Sequence, residues 1–292
     1  MEMAVVCEGL EFPEGPVAMA DGSVIVVEVK GRRLTRVLPD GRKEVLAETG
    51  GGPNGAAVGP DGAIWIANNG GAFFYAEAYH GGSIQRFDPK TGELSTVYEA
   101  CDGVRLIAPN DLVFDRQGGL WFTDHGRPTE DARLYGALYY ASADGSRISR
   151  QRRRLLSPNG VGLSPDDKTV YVADTETGRL WALEVTEPGV LTPQERHTPG
   201  RLVAGLPGLQ SLDSLAVEAS GKVCAATIGE SGGITVFDPD GTAEFVAAPD
   251  LLTTNICFGG ADMRDAWLTG SLSGRLYKAR WPRPGLKLAF SA

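Results

Sequence analysis

The chain repeats one phrase six times. A Glu, Asn or Asp after a turn opens a short apolar strand, which a Gly-containing turn joins to a second strand. The openings are Glu14 in EFPEGPVAMADGSVIVVEV, Asn54 in GGPNGAAVGPDGAIWIANN, Asn110 in APNDLVFDRQGGLWFTD, Asn159 in SPNGVGLSPDDKTVYVADT, Asp213 in SLDSLAVEASGKVCAAT and Asn255 in TTNICFGGADMRDAWLTG. Their spacings of 40, 56, 49, 54 and 42 residues are too long for a solenoid coil and suit a four-stranded propeller blade with variable loops. The expected fold is therefore all-β, a six-bladed β-propeller, with residues 1–292 forming one closed domain.

Strand chemistry supports this within each unit. SVIVVEV, AIWIANN, GLWFTD, TVYVADT, KVCAAT and DAWLTG are β-branched or aromatic runs bounded by turn residues. Later runs such as SIQRFDP, ALYYASAD, RLWALEV, GITVFDP and RLYKARW alternate apolar and polar residues, as strands facing a neighbouring blade do. Turns such as Pro60-Asp61-Gly62 and Pro239-Asp240-Gly241 account for many of the 39 glycines. No stretch holds a helical period. Either Ala4–Cys7 or Leu286–Phe290 is expected to supply the strand that closes the ring.

Composition narrows the partners. A net charge of −9 argues against a nucleic acid or an anionic membrane. The one basic run, Arg150 to Arg154, reads as the solvated outer strand of blade three. Four cysteines at 7, 101, 224 and 257 have no paired spacing; Cys224 and Cys257 read as small buried hydrophobes. Neither a signal peptide nor a long apolar span is evident, so a cytoplasmic location is the expectation, as monomer or dimer.

The innermost strand of each propeller blade lines the central tunnel, so six equivalent positions converge on one site. Asn54, Asn110, Asn159 and Asn255 bring amides; Glu14 and Asp213 bring carboxylates. Hard oxygen donors without thiolate or imidazole suit Ca²⁺ first, with Mg²⁺, Mn²⁺ and Zn²⁺ as alternatives, and two carboxylates balance a divalent charge. Taken singly, an Asn after Pro is an ordinary turn residue; recurrence at one phase points to a metal.

These residues carry a resemblance. EGP at 14–16, PND with LVFD at 109–114, SPNGVGLSPDDKTVYVADT at 157–175 and Asp213-Ser214, in this order and over essentially the whole chain, resemble the SMP-30/gluconolactonase/luciferin-regenerating-enzyme family. The resemblance implies a six-bladed propeller with one catalytic divalent cation, held by Glu14, Asn159 and Asp213, with Asn110 as ligand or substrate contact. Its likeness to calcium-dependent bacterial lactonases adds Asp111 and Ser214. Asn255 stands where related organophosphate hydrolases have a ligand. Asn54, from the same ring of positions, is expected as a substrate contact. Two departures are visible: Ala108 stands where sugar lactonases commonly have an Arg, and Ala216 and Cys257 stand where the organophosphate hydrolases hold a second calcium.

The chemistry these residues suit is lactone hydrolysis. A cation polarises the carbonyl, and water is delivered by Asp213 as general base or as a metal-bound hydroxide. A Ser-His-Asp triad is not expected: there is no GxSxG elbow, and the three histidines are His80, His125 and His197. His197 reads as a surface residue, whereas His125, in TDHG after the second strand of blade three, is the candidate general acid for the leaving alkoxide. The aromatic insertion at 68–82 reads as a lid, with Phe73, Phe74, Tyr75 and Tyr79 meeting an apolar part of the substrate. The rival readings are a phosphotriesterase on the same fold, a metal-free strictosidine-synthase-like propeller, and a binding scaffold.

Overall fold

A computed structural model describes residues 1–291. Six antiparallel sheets, each with a path of four strands, succeed one another around a ring. The innermost strands are Pro13–Ala18, Pro53–Val58, Pro109–Phe114, Pro158–Leu163, Gln210–Val217 and Thr253–Gly259. Each packs against the innermost strand of the next blade, and the last returns to the first. The six-bladed propeller expected from the repeat is thus the observed fold. Among the described residues the sole helical turn is the 3-10 turn Ala76–Ala78, and no helix is long and apolar enough to cross a membrane.

Six apolar clusters, one at each junction between neighbouring blades, hold the ring. Between blades one and two, Val27 and Leu34 meet Ile64 and Ile66; between two and three, Trp65 meets Leu112 and Phe114. Trp121 with Val172 and Tyr171 with Leu215 continue the series. Cys224 with Leu268 and Val26 with Trp267 complete it. Because successive strand residues point to opposite sheet faces, the apolar second strands feed both adjoining clusters at once. Val24–Glu28 and Ile64–Asn68 are buried at every position for this reason.

The ring is closed by the N-terminal strand. Met3–Cys7 pairs antiparallel with Arg275–Arg280 and becomes the outer strand of blade six. The other candidate, Leu286–Phe290, runs across the end of the tunnel remote from Glu14. The Leu286 N–H donates to Val217 O in blade five, and Phe290 meets Phe114 of blade three edge-on at 6.1 Å. Below the polar ring the tunnel holds an apolar cavity of about 120 Å³, lined by Val17, Leu112, Val161 and Ile256 among others and bordered by Leu288 and Phe290.

The basic run is the outer strand of blade three, Ile148–Leu155, but it is not wholly solvated. Arg152 is buried and donates to the carbonyl oxygens of Pro199, Gln151 and Thr192, so it ties this edge to the long loop of blade four. All four cysteines are free thiols; Cys224 is fully buried and Cys257 lines the axial cavity. The expected hairpin glycines Gly62 and Gly241 take φ of +79° and +94°.

Candidate functional site

All six innermost strands carry a register irregularity at or beside the position singled out in the sequence. Glu14 pairs with Val27 while Val17 pairs with Ile25; Pro109 pairs with Asp124 while Leu112 pairs with Phe122. The same single extra residue falls at Pro53/Gly55, Pro158/Val161, Leu212/Leu215 and Thr253/Asn255. A bulge interrupts the strict alternation of side chains. It lets a polar residue turn to the tunnel mouth while the apolar residues that follow resume packing in the blade.

Small residues let these bulges sit close. A Cβ on Gly15 would stand 2.7 Å from Ala56 N, one on Gly55 2.6 Å from Asn110 O, and one on Gly160 2.6 Å from Leu215 N. The Gly after Glu14, Asn54 and Asn159 therefore sets the separation of neighbouring blades at the site. Gly160→Ala is expected to destabilise the protein by about 1–3 kcal/mol through overpacking. Gly205→Ala, whose Cβ would meet only ordinary contacts, should be nearly neutral. Thermal unfolding of the two variants is the check.

Hydrogen bonds hold most of the six positions in small separate groups. Glu14 Oε2 accepts from Gly15 N and from Asn255 Nδ2, both at 2.9 Å. Asn255 Oδ1 accepts from Ile256 N at 2.8 Å, which leaves that oxygen one further acceptor site. Asp213 Oδ1 accepts from Ser214 N, and Ser214 Oγ donates to Asn159 Oδ1 at 3.3 Å. Asn159 Nδ2 donates to Thr175 Oγ1, and Asn69 Nδ2 donates to Asn54 Oδ1 at 3.4 Å. Asp111 accepts from Leu112 N and Val161 N, tying blade three to blade four. Asn110, only 1% exposed, has no hydrogen-bond partner for its Oδ1.

The electrostatics of this cluster are unbalanced. Burial pushes Glu14 and Asp111 up to about 7. Asp213 is raised well above the ordinary carboxylate range by burial and then by the charge of Glu14. No cationic side chain is among the groups that act on any of the three. Buried carboxyls without a cation resist ionisation. Glu14, Asp213, Asn159 and an orphaned Asn110 oxygen form a hard, oxygen-only donor set that suits a divalent ion. Among the described residues no group of three or more His, Cys, Asp or Glu is arranged to hold a metal, so a cation here would depend on amide oxygens as well.

A second layer, not read from the sequence, holds the loops that lead into the innermost strands. At the end of the second strand of blade three, Asp124 accepts from Ile107 N and Ala108 N at 2.7 Å. Asp174 does the same for Leu156 and Ser157 in blade four, Asn68 for Gly52 in blade two, and Glu28 for Glu11 in blade one. The signal was present in the sequence: VVE, WIAN, WFTD and YVAD all place a carboxylate or amide at the same phase. Thr123, fully buried, bonds Asp111 N and donates to Asn159 O, linking two site residues through backbone.

The rim above this cluster is aromatic and basic. His125 is buried, and burial together with Arg133 pushes its imidazole down to about 4, so it is neutral at neutral pH. Arg133, which the sequence did not single out, donates to His125 O at 3.2 Å and to Leu156 O, and pairs with Glu176. Phe73 meets the His125 ring edge-on at 5.2 Å, and Phe74 meets Phe12 at 4.8 Å. Tyr75 and Tyr79 have another place than the pocket wall: their hydroxyls donate to Lys30 O and Ile107 O and fasten the loop to blades one and three. His80 and His197 are exposed.

Residues 12–271 match the SMP-30/Gluconolactonase/LRE-like region. The chain belongs to this family. Among its members, a gluconolactonase of Zymomonas mobilis is 27% identical over 286 residues, covering 87% of this chain and 75% of that protein. The lactonase drp35 of Staphylococcus haemolyticus is 28% identical over 243 residues, covering 80% and 68%. The solved structure of a gluconolactonase from Xanthomonas campestris superposes with a TM-score of 0.78 at 26% identity, over 96% of this chain and 89% of that one. The family match takes in all six site positions, from Glu14 to Asn255.

Proposed function

We propose that the chain is a metal-dependent hydrolase of a small-molecule lactone, with Ca²⁺ as the first candidate cation and Mg²⁺, Mn²⁺ or Zn²⁺ as alternatives. The observation that carries the reading is the buried cluster of Glu14, Asp213 and Asn159 beside the unpartnered Asn110 oxygen, without any cationic side chain. Its setting is a family whose compared members are a gluconolactonase and a lactonase. These relatives lend no support to the phosphotriesterase, strictosidine-synthase-like or scaffold readings.

Glu14, Asp213, Asn159 and Asn110 would hold the cation, and Asn255 keeps Glu14 in place through its amide N–H. When bound, a divalent cation supplies Lewis acidity toward the lactone carbonyl and acidifies water. Asp213, oriented by the Ser214 N–H, takes the proton of the attacking water. Ser214 and Asp111 support that geometry from below, one through Asn159 and the other through the backbone of blade four. Asn54 offers its amide to the ester, as does Asn110 if it does not hold the cation. His125, neutral at working pH, contributes shape and hydrogen bonding at the rim. A proton for the leaving alkoxide then returns from Asp213, which makes one carboxyl serve both half-steps.

The test is hydrolysis of a panel of aldonolactones and simple γ- and δ-lactones by chelator-stripped protein, with each cation added back. Turnover that vanishes on stripping and returns with one cation is the expected result. Full activity of stripped protein, or no turnover with any cation while binding none, would overturn the reading.

A further inference from the structure

Blade four carries a recess on the outside of the ring. Its long third strand, Arg179–Glu187, pairs with Arg201–Gly205 along its first half and with Val190–Leu191 along its second. Where the two pairings part, beside Leu183 and Glu184, a cleft of about 740 Å³ opens. Arg152 from the outer strand of blade three borders it, together with Lys168, Thr192 and Pro199 of blade four. None of the six residues that open the innermost strands takes part.

Arg152 is 4% exposed, and its guanidinium is held by backbone alone. Nε donates to Pro199 O at 2.8 Å, Nη1 to Gln151 O at 2.9 Å and Nη2 to Thr192 O. A guanidinium has five N–H donors, so two remain. The carbonyls bring no charge: no carboxylate acts on Arg152, and burial by itself pulls its proton affinity down. Buried charges are ordinarily paired. Arg33 and Arg283, both more exposed, each pair with a buried carboxylate, Glu28 and Glu218. Arg152 is thus a buried cation that still lacks an anion, at the wall of a cleft with room for one.

The rest of the lining suits an oxyanion. Lys168 and Arg201 add positive charge, and Thr192 and Thr198 add hydroxyls. Glu184 and Glu195 also border the cleft, but both are exposed, where water and salt screen them. A carboxylate would be served by the guanidinium fork alone. A phosphate ester, with two charges and three terminal oxygens, uses a second cation and hydroxyls besides. The volume lies within the roughly 300–1,000 Å³ that small ligands occupy, so the cleft accommodates more than a bare ion.

We propose that this cleft is a seat for the phosphate group of a small molecule, with Arg152 at its base, Lys168 at its edge and residues 192–200 as its wall. The seat is separate from the tunnel and does not depend on the lactonase reading.

The experiment titrates the full chain with glycerol 3-phosphate, with inorganic phosphate and with acetate, by calorimetry at matched ionic strength and with chelator present. Both phosphates are expected to bind, and acetate to bind about tenfold more weakly or not at all. Arg152→Lys, which keeps the charge but not the fork, should weaken the phosphates about tenfold. Because a change at Arg152 also loosens the wall, Lys168→Ala, at an exposed side chain, is the second variant; it should cost about threefold. Trypsin supplies a further reading: glycerol 3-phosphate should slow cleavage after Arg196, exposed in the wall, in wild type and less so in Lys168→Ala.

No phosphate binding, acetate bound as tightly as phosphate, affinities unchanged in both variants, or cleavage at Arg196 indifferent to glycerol 3-phosphate would each overturn the proposal.

Discussion

Asp213→Asn is expected to lower kcat/KM for lactone hydrolysis by about 10³-fold while making the cation-free protein more stable. The two effects share one cause. Asp213 is a buried carboxyl facing Glu14 with no positive side chain acting on it, so its charge is useful only with a cation present. The sign with pH follows from protons bound. In cation-free protein the folded carboxyl keeps its proton well above the pH at which the unfolded chain has lost it. Its contribution to stability is therefore whole below the unfolded pKa of about 4 and is lost as pH rises through the raised folded value. The stability gained by Asp213→Asn should thus grow as pH rises from about 4 toward the raised folded value. His125, held down at about 4, acts in the opposite direction, but equally in both proteins, and cancels in the difference. Thermal unfolding of stripped wild type and variant across that range is the measurement. A variant no more stable than wild type at the upper end, or one that retains activity, would refute the assignment.

Glu218→Ala is expected to destabilise the fold by about 3 kcal/mol, lowering the melting temperature by roughly 6–10 °C for a chain of this size. Glu218 is fully buried in blade five and accepts from Trp281 Nε1 at 2.8 Å, Arg283 Nε at 2.7 Å and Ser220 Oγ at 3.1 Å. Trp281 and Arg283 lie on the segment that leaves blade six, so this one carboxylate binds that segment to the neighbouring blade. Arg283 is partly exposed and also reaches Glu244, which moderates the loss on its side. Glu218→Gln retains an acceptor for Trp281 and should lose about half as much. Equal melting temperatures for Glu218→Ala and wild type would show that the latch carries no stability.

The ring and its six polar positions were legible because both repeat. One strand phrase recurring at blade-length spacing fixes the phase, and phase alone selects Glu14, Asn54, Asn110, Asn159, Asp213 and Asn255. What was not legible depends on pairing between distant segments. The bulges at those positions are facts of register, which a single strand does not carry. Tyr75 and Tyr79 looked like pocket wall because their partners Arg32, Lys30 and Arg127 come from other blades. Arg152, within a run read as solvated, is buried by the loop of blade four. Two short apolar segments competed to close the ring. Met3–Cys7 does so, because its backbone pairs with Arg275–Arg280, whereas Leu286–Phe290 has an apolar cavity to cover.

The covered end of the tunnel has a kinetic consequence. With Leu286 bonded to blade five and Phe290 against blade three, the C-terminal segment lies across one end of the axis and narrows it. On the lactonase reading, lactone and the released hydroxy acid then exchange chiefly at the mouth that carries Glu14, beside the loop from Asn69 to Gly82. An open tube could admit reactant at one end and discharge product at the other; a tube narrowed at one end favours entry and exit by the same mouth. On the lactonase reading, that exchange passes a loop fastened by Tyr75 to Lys30 and by Tyr79 to Ile107, and release of those two bonds is a step that can limit turnover.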